Sequence, residues 1–240
     1  MTPSRDAEPH AACDGAATGH DRRSLITPGH RAPLRRSARR LGTTDGGAGL
    51  RLLDLGCGTG ASTAALLAVA PKARITAVDA SAGMPARAAG KRWPPGVEFV
   101  HARVERLAEA GVRGPFDAVL ASCLFRDVTD PDAALATVRD LLAPGGRLAV
   151  HEYTLSGRRA HRLVWNAVCT AVVQPAATLT GDRGRYRRLR RSVLEFDTAP
   201  VFAQRMARAG FTGVRVLPVP GWQTGIVHTV TGRAPLRREP

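Results

Sequence analysis

The chain has 240 residues, 44% of them hydrophobic, and a formal net charge of +15. That length holds one α/β domain with a full core, or one domain with an insertion. The charge by itself does not assign nucleic-acid binding: Lys72 and Lys91 are the only lysines among 35 basic residues, and such an arginine excess beside abundant Ala, Gly and Pro reads as GC-rich coding. What remains of the charge favours anionic surfaces, membrane headgroups or RNA.

Four cysteines, Cys13, Cys57, Cys123 and Cys169, lie far apart and form no C-x-x-C pair. They read as reduced thiols of a cytoplasmic protein without a zinc site. No charged region followed by an apolar run opens the chain, so no secretory leader is expected. The most apolar stretch, 163–180, contains Asn166, Gln174 and Pro175 and makes a poor membrane span.

In chain order, residues 1–24 lack periodicity and are expected to be a disordered tail, leaving 25–240 as the folded domain. Arg31–Leu41 is strongly basic and predicts a surface helix begun near Pro33. "TTDGGAG" is a loop by composition. Then strands and helices alternate: strand Leu50–Leu55, helix Ala61–Val69, strand Arg74–Val78, helix Ala82–Ala89, strand Val97–His101 and strand Phe116–Ser122. Helix Pro131–Leu142, capped by Thr129 or Asp130, stops at "PGG" (Pro144–Gly146), and strand Arg147–Tyr153 follows. This alternation predicts a parallel sheet with helices on both faces. Residues 156–198 contain no strand candidate and read as a helical insertion with a loop near Pro175. A helix, a stop at Gly210 and two strands close the domain, the last antiparallel to its predecessor.

The stretch "LLDLGCGTG", Leu52 to Gly60, breaks an apolar strand into three glycines. Gly56, Gly58 and Ala61 match the spacing G-x-G-x-x-G/A, which suits a dinucleotide pyrophosphate or a ligand with no phosphate. Asp54 discriminates between them. A carboxylate at the end of that strand repels pyrophosphate but suits a cation. S-adenosylmethionine carries an ammonium, a sulfonium and no phosphate. Asp54 is expected to orient the loop or to reach the ammonium through water. Asp79, ending the second strand in "AVDAS", is placed to accept hydrogen bonds from ribose hydroxyls; capping the helix at Ala82 is its alternative role.

Together "LLDLGCGTG", "VDAS", "FDAVLAS" and "LLAPGGRL" resemble class I S-adenosylmethionine-dependent methyltransferases over roughly residues 48–155. The resemblance implies a Rossmann-like α/β fold with a seven-stranded, mostly parallel sheet. It also implies S-adenosyl-L-methionine as cofactor, with Asp54, Gly56, Cys57, Gly58, Asp79, Ala80, Arg103, Val104 and Ser122 around it. "HARVERL" matches the place where the family reaches adenine, with Arg103 where an acid is frequent, so that contact passes to backbone near Val104 or to Glu105.

Further likeness points to the acceptor. "CLFRDVTDPDAAL", "YRRLRRSVLEF" and "TGIVHTVTGR" resemble segments of the ubiquinone/menaquinone biosynthesis C-methyltransferases. Arg126 matches an arginine of that family, and Asp127 replaces an asparagine. The resemblance implies carbon methylation of a prenylated quinol. Arg126 is then expected to stabilise a developing phenolate and Asp127 to serve as base, directly or through water. A local surface ion pair is the alternative for these two. His151 and Glu152, ending the fifth strand, are candidates to face the pocket. Tyr186, on a helix whose apolar positions Tyr186, Leu189, Val193 and Phe196 share a face, is a candidate substrate contact. That arginine-rich helix reads either as a solvated cover or as a lid touching anionic membrane from its periphery. RNA is the weakest partner, since one aromatic interrupts the basic run and no RNA motif accompanies it. Two other functions stay open: O- or N-methylation of a small metabolite, and a non-catalytic binding module on the same fold. The sequence leaves the oligomeric state undetermined.

Overall fold

The computed structural model of the chain describes residues 31–173 and 183–236, so the expected tail, the segment before Arg31 and the loop near Pro175 lie outside the described residues. Seven strands form one sheet: β1 (Arg51–Leu55), β2 (Arg74–Asp79), β3 (Val97–His101), β4 (Phe116–Ser122), β5 (Leu142–Tyr153), β6 (Thr212–Pro218) and β7 (Val227–Arg233). Their order is β3-β2-β1-β4-β5-β7-β6. The neighbours from β3 to β5 pair in parallel, and β7 runs antiparallel to both β5 and β6. This is the expected Rossmann-like, mostly parallel architecture.

The central strands are apolar on both faces because helices cover both. One face of the sheet carries Leu53, Leu55, Val119, Val150 and Val230, packed with α4 (Pro131–Leu141) and α7 (Ala199–Arg208). The other carries Leu52, Ile75, Leu120 and Ala149, packed with α1 (Arg31–Arg39) and α2 (Ala61–Leu67). A third helix of the alternation, α3 (Gly83–Ala89), lies between β2 and β3 in the chain. After β5 come α5 (Arg159–Val168), a π turn (Cys169–Val173) and α6 (Arg183–Glu195); they gather Trp165, Cys169 and Val193 around the end of β7.

Two local expectations change. The surface helix α1 is half sunk: Leu34, Ser37, Ala38 and the following Leu41 are buried, an i, i+3, i+4, i+7 stripe beneath its arginines. "PGG" does not separate α4 from β5. The helix ends at Leu141 and the strand begins at once with Leu142, opposite Phe116. Pro144–Gly146 lies inside the strand at a register shift, with Gly145 at φ +74°. The helix cap is Asp130, whose side chain accepts from the backbone N–H groups of Asp132 and Ala133, each at 3.0 Å.

Candidate active site

The chain order of the strands reverses between β1 and β4, and ligands of open α/β sheets bind in the crevice outside the strand ends at such a point. The β1–α2 loop fills one side of it. Gly56 and Cys57 donate their N–H groups to Val78 O at 2.9 and 3.0 Å, which folds the loop over the end of β2. Gly56 sits at φ +73°, and a Cβ there would stand 2.6 Å from Ser122 O. Only glycine lets this loop meet the end of β4. A Cβ on Gly58 would meet none of the described residues within 4 Å, so the loop leaves room for a close approach there.

Beneath the loop Asp54 is fully buried. Its Oδ2 accepts from Ser62 Oγ (2.8 Å) and Thr63 Oγ1 (2.6 Å), one turn into α2. Its Oδ1 has no hydrogen-bond partner among the described residues. Burial raises this carboxyl to about 7, against the pull of the two hydroxyls. The hydroxyls of Ser62 and Thr63, which sequence reasoning did not single out, tie Asp54 to the first turn of α2. Asp79 ends β2 with Oδ2 accepting from Gly58 N–H (2.8 Å) and Oδ1 from Ser81 N–H (3.0 Å). A carboxylate oxygen can accept more than one hydrogen bond, so this side chain suits a ligand hydroxyl. Ala102 N–H donates to Asp79 O at 3.1 Å and the His101 ring lies 3.0 Å from Ala80 O, so the turn carrying Arg103, buried Val104 and Glu105 is held beside Asp79 and Ala80. Arg103 and Glu105 pair at 3.5 Å on the surface.

S-adenosylmethionine fits this set. A buried carboxylate with an orphan oxygen suits a cationic amino acid group, the open face of Gly58 admits backbone-close approach, and Asp79 offers acceptors for ribose. Among the described residues no group of three or more His, Cys, Asp or Glu is arranged to hold a metal ion.

On the other side of the crevice, β4 and β5 end together. Cys123, at φ +52°, donates its N–H to His151 O at 2.9 Å. Three residues on, the Arg126 guanidinium reaches Glu152 Oε1 through Nη1, and Asp127 Oδ2 at 3.4 Å through Nη2. The Glu152 side chain is fully buried, Arg126 is 11% exposed and Asp127 45%. The Arg126–Asp127 ion pair considered from sequence is present, with Asp127 at the exposed rim, but Arg126 is largely buried and pairs also with buried Glu152. Burial opposes the charge of Arg126, but Glu152, Cys123 and Asp127 together outweigh it and hold the guanidinium charged. Burial also raises Glu152, and Arg126 offsets that rise only in part. Tyr153 lies under the cation, 5.8 Å from ring centroid to guanidinium carbon. Two buried atoms here, Arg126 Nε and Glu152 Oε2, have no hydrogen-bond partner among the described residues.

His151 goes elsewhere. Successive strand residues face opposite sides, so His151 points under α1, where Ser37 Oγ lies 2.9 Å from its Nδ1 and 2.7 Å from Thr229 Oγ1. It is brought to Ser37 and Thr229, not to Arg126. Tyr186 lies on α6, and its side chain is outside the described residues.

Residues 52–146 match a family described as a methyltransferase domain. The demethylmenaquinone methyltransferase of Thermus thermophilus is 34% identical over 163 residues, 68% of this chain and 74% of that protein. The demethylmenaquinone methyltransferase of Mycobacterium tuberculosis is 30% identical over 211 residues, 85% of this chain and 81% of that one. Among solved structures, the Burkholderia thailandensis 1,6-didemethyltoxoflavin-N1-methyltransferase, crystallised with its acceptor and S-adenosylhomocysteine, superposes with a TM-score of 0.62 at 23% identity. That match covers 98% of this chain and 92% of that one.

Proposed function

Given that the chain belongs to the class I S-adenosylmethionine-dependent methyltransferases, with demethylmenaquinone methyltransferases among its relatives, we propose that it methylates a ring carbon of a prenylated quinol. The observation that carries this reading is the Arg126–Glu152 pair at the crevice, with one donor, Arg126 Nε, and one acceptor, Glu152 Oε2, that have no partner among the described residues. Buried polar atoms of this kind call for hydrogen-bond partners, and an acceptor hydroxyl can both donate and accept.

Asp54, Gly56, Gly58 and Asp79 hold the cofactor, with the turn at Arg103 and Val104 beside its adenine. When bound, the cofactor supplies a methyl group on a sulfonium and leaves as S-adenosylhomocysteine. Arg126 stabilises the negative charge on the quinol oxygen as its proton leaves. Asp127, exposed at the rim, takes that proton and passes it to water. The electron-rich ring carbon accepts the methyl, and its own hydrogen returns as a proton to the oxygen, restoring the aromatic ring. Glu152 keeps Arg126 in place and charged. The rest of the rate comes from alignment of the two reactants in the crevice.

The test supplies cofactor carrying a deuterated methyl group together with reduced demethylmenaquinol, and follows the label by mass spectrometry. Label on ring carbon, with S-adenosylhomocysteine formed only when the quinol is present, supports the reading. Label on an oxygen or nitrogen of a polar metabolite from a cell extract discards the quinol and keeps the methyltransferase. Cofactor bound without any transfer, to quinol or extract, favours the binding module.

A further inference from the structure

We propose that the outer face of α5 is a docking surface for a bilayer that carries anionic headgroups. The inner face of this helix is accounted for: Trp165 is buried, and His161 packs over Gly225 in the turn between β6 and β7. Among the described residues nothing covers the opposite face. Leu163 is 68% exposed and Val164 44%, the largest outward pair on any described helix, and Ala160 and Ala167 extend the strip along the axis. Each apolar position recurs at helical spacing, so the strip is a built face rather than scattered exposure.

Charge selects the occupant. Arg159 and Arg162 flank the strip on the side that faces α6, where they line a cleft of ≈150 Å³ floored by Leu155, Val193 and Phe196. Arg190 of α6 clasps Asn166 of α5 through Nε and Nη2 at 3.1 and 3.0 Å, which sets the two helices side by side. Exposed Arg187 continues the basic edge on α6. From Thr154 to Leu194 the sequence holds nine arginines and one acid, Asp182. An apolar strip bordered by arginines matches an amphipathic helix lying in the plane of an anionic membrane, its aliphatic side chains about 5–10 Å into the headgroup region. RNA would engage the arginines and leave Leu163 and Val164 in water, since stacking needs aromatic platforms that this face lacks. A second copy would set arginine against arginine. Among the described residues no helix is long and apolar enough to cross a membrane, so the contact is from the surface. The inference holds whatever the acceptor is.

The full chain is sedimented with vesicles of phosphatidylcholine alone and of phosphatidylcholine with phosphatidylglycerol. Binding is expected only to the anionic vesicles and weakens with salt. The double variant Leu163→Gln/Val164→Gln should lose about tenfold or more of the partitioning, and Arg159→Gln/Arg162→Gln a comparable amount. Both pairs are solvent-exposed, so the melting temperature stays put. Arg74→Gln/Arg215→Gln, removing two exposed charges from β2 and β6, should change binding by less than about twofold. No binding to anionic vesicles overturns the proposal. So does binding that survives loss of Leu163 and Val164, or that falls equally with Arg74 and Arg215, either of which marks a general polycation. A dimer split by the Leu163/Val164 variant would assign the face to a second copy instead.

Discussion

Asp54 is a buried carboxyl group with one oxygen held by two hydroxyls and the other held by none of the described residues. Its proton therefore reports on the site. Raised to about 7 from an ordinary value near 3.8, it keeps its proton in the folded chain over a range where the unfolded chain has lost it. The folded state then binds more protons, and this group's contribution to stability falls as pH rises through that window, by on the order of a few kcal/mol. A cationic ligand reverses the preference. In thermal unfolding without cofactor, Asp54→Asn should flatten the decline between about pH 4 and about pH 7. In titrations, wild-type cofactor affinity should rise over the upper part of the same window, and the variant should show no such rise. Asp79 acts by direct contact, so Asp79→Ala should weaken cofactor affinity about ten- to a hundredfold by calorimetry, and unchanged affinity would remove it from the site. Arg126 and Glu152 act as a unit. Arg126→Ala leaves Glu152 buried and uncompensated at a cost of about 3–5 kcal/mol in denaturant unfolding. Arg126→Met with Glu152→Gln should recover most of that stability and none of the turnover, which separates the pair's structural part from its chemical one.

At the scale of elements, α1 shows how a charged helix becomes part of a core. Its arginines dominate the sequence and point to a surface helix; the stripe Leu34, Ser37, Ala38 and Leu41 decides where it goes. Ser37 joins it to β5 and β7 through His151 and Thr229, all three buried. Ser37→Ala leaves two buried polar groups short of a partner and should cost about 1–3 kcal/mol in urea unfolding. His151 and Glu152 teach the same lesson from the strand side. Adjacent residues of a strand face opposite ways, so only one of the two could reach Arg126, and the sequence carries no marker of which. The alternation of elements was legible because periodicity and glycine stops are local signals. The burial of α1 and the Arg126–Glu152 pairing were not, since both depend on which strands become neighbours. The cofactor loop was the most legible part, as its glycines, Asp54 and Asp79 fall within a single β-α-β stretch whose geometry follows from local turns. The strand start at Leu142 was hidden because Pro144–Gly146, a stop signal on composition, is absorbed in a bulge.

For the whole molecule, one sheet sets two reactive edges facing each other across the β1–β4 switch: the glycine loop on one side, the Arg126–Glu152 pair on the other. The packing of Gly56 onto Ser122 makes the first edge lean on the second. The strand order has a separate consequence for how the chain is made. β7 lies between β5 and β6, yet β6 is synthesised first. Until β7 emerges, β6 has no strand to pair with, and β5 presents a long unpaired edge whose side chains belong to the core. Such edges recruit other chains. Translation that stalls between Pro218 and Val227 should thus yield an aggregating product rather than a smaller folded one, as a chain truncated there would show by pelleting. The final strand is the wedge that closes the sheet, and the nascent protein is at its most vulnerable just before it arrives.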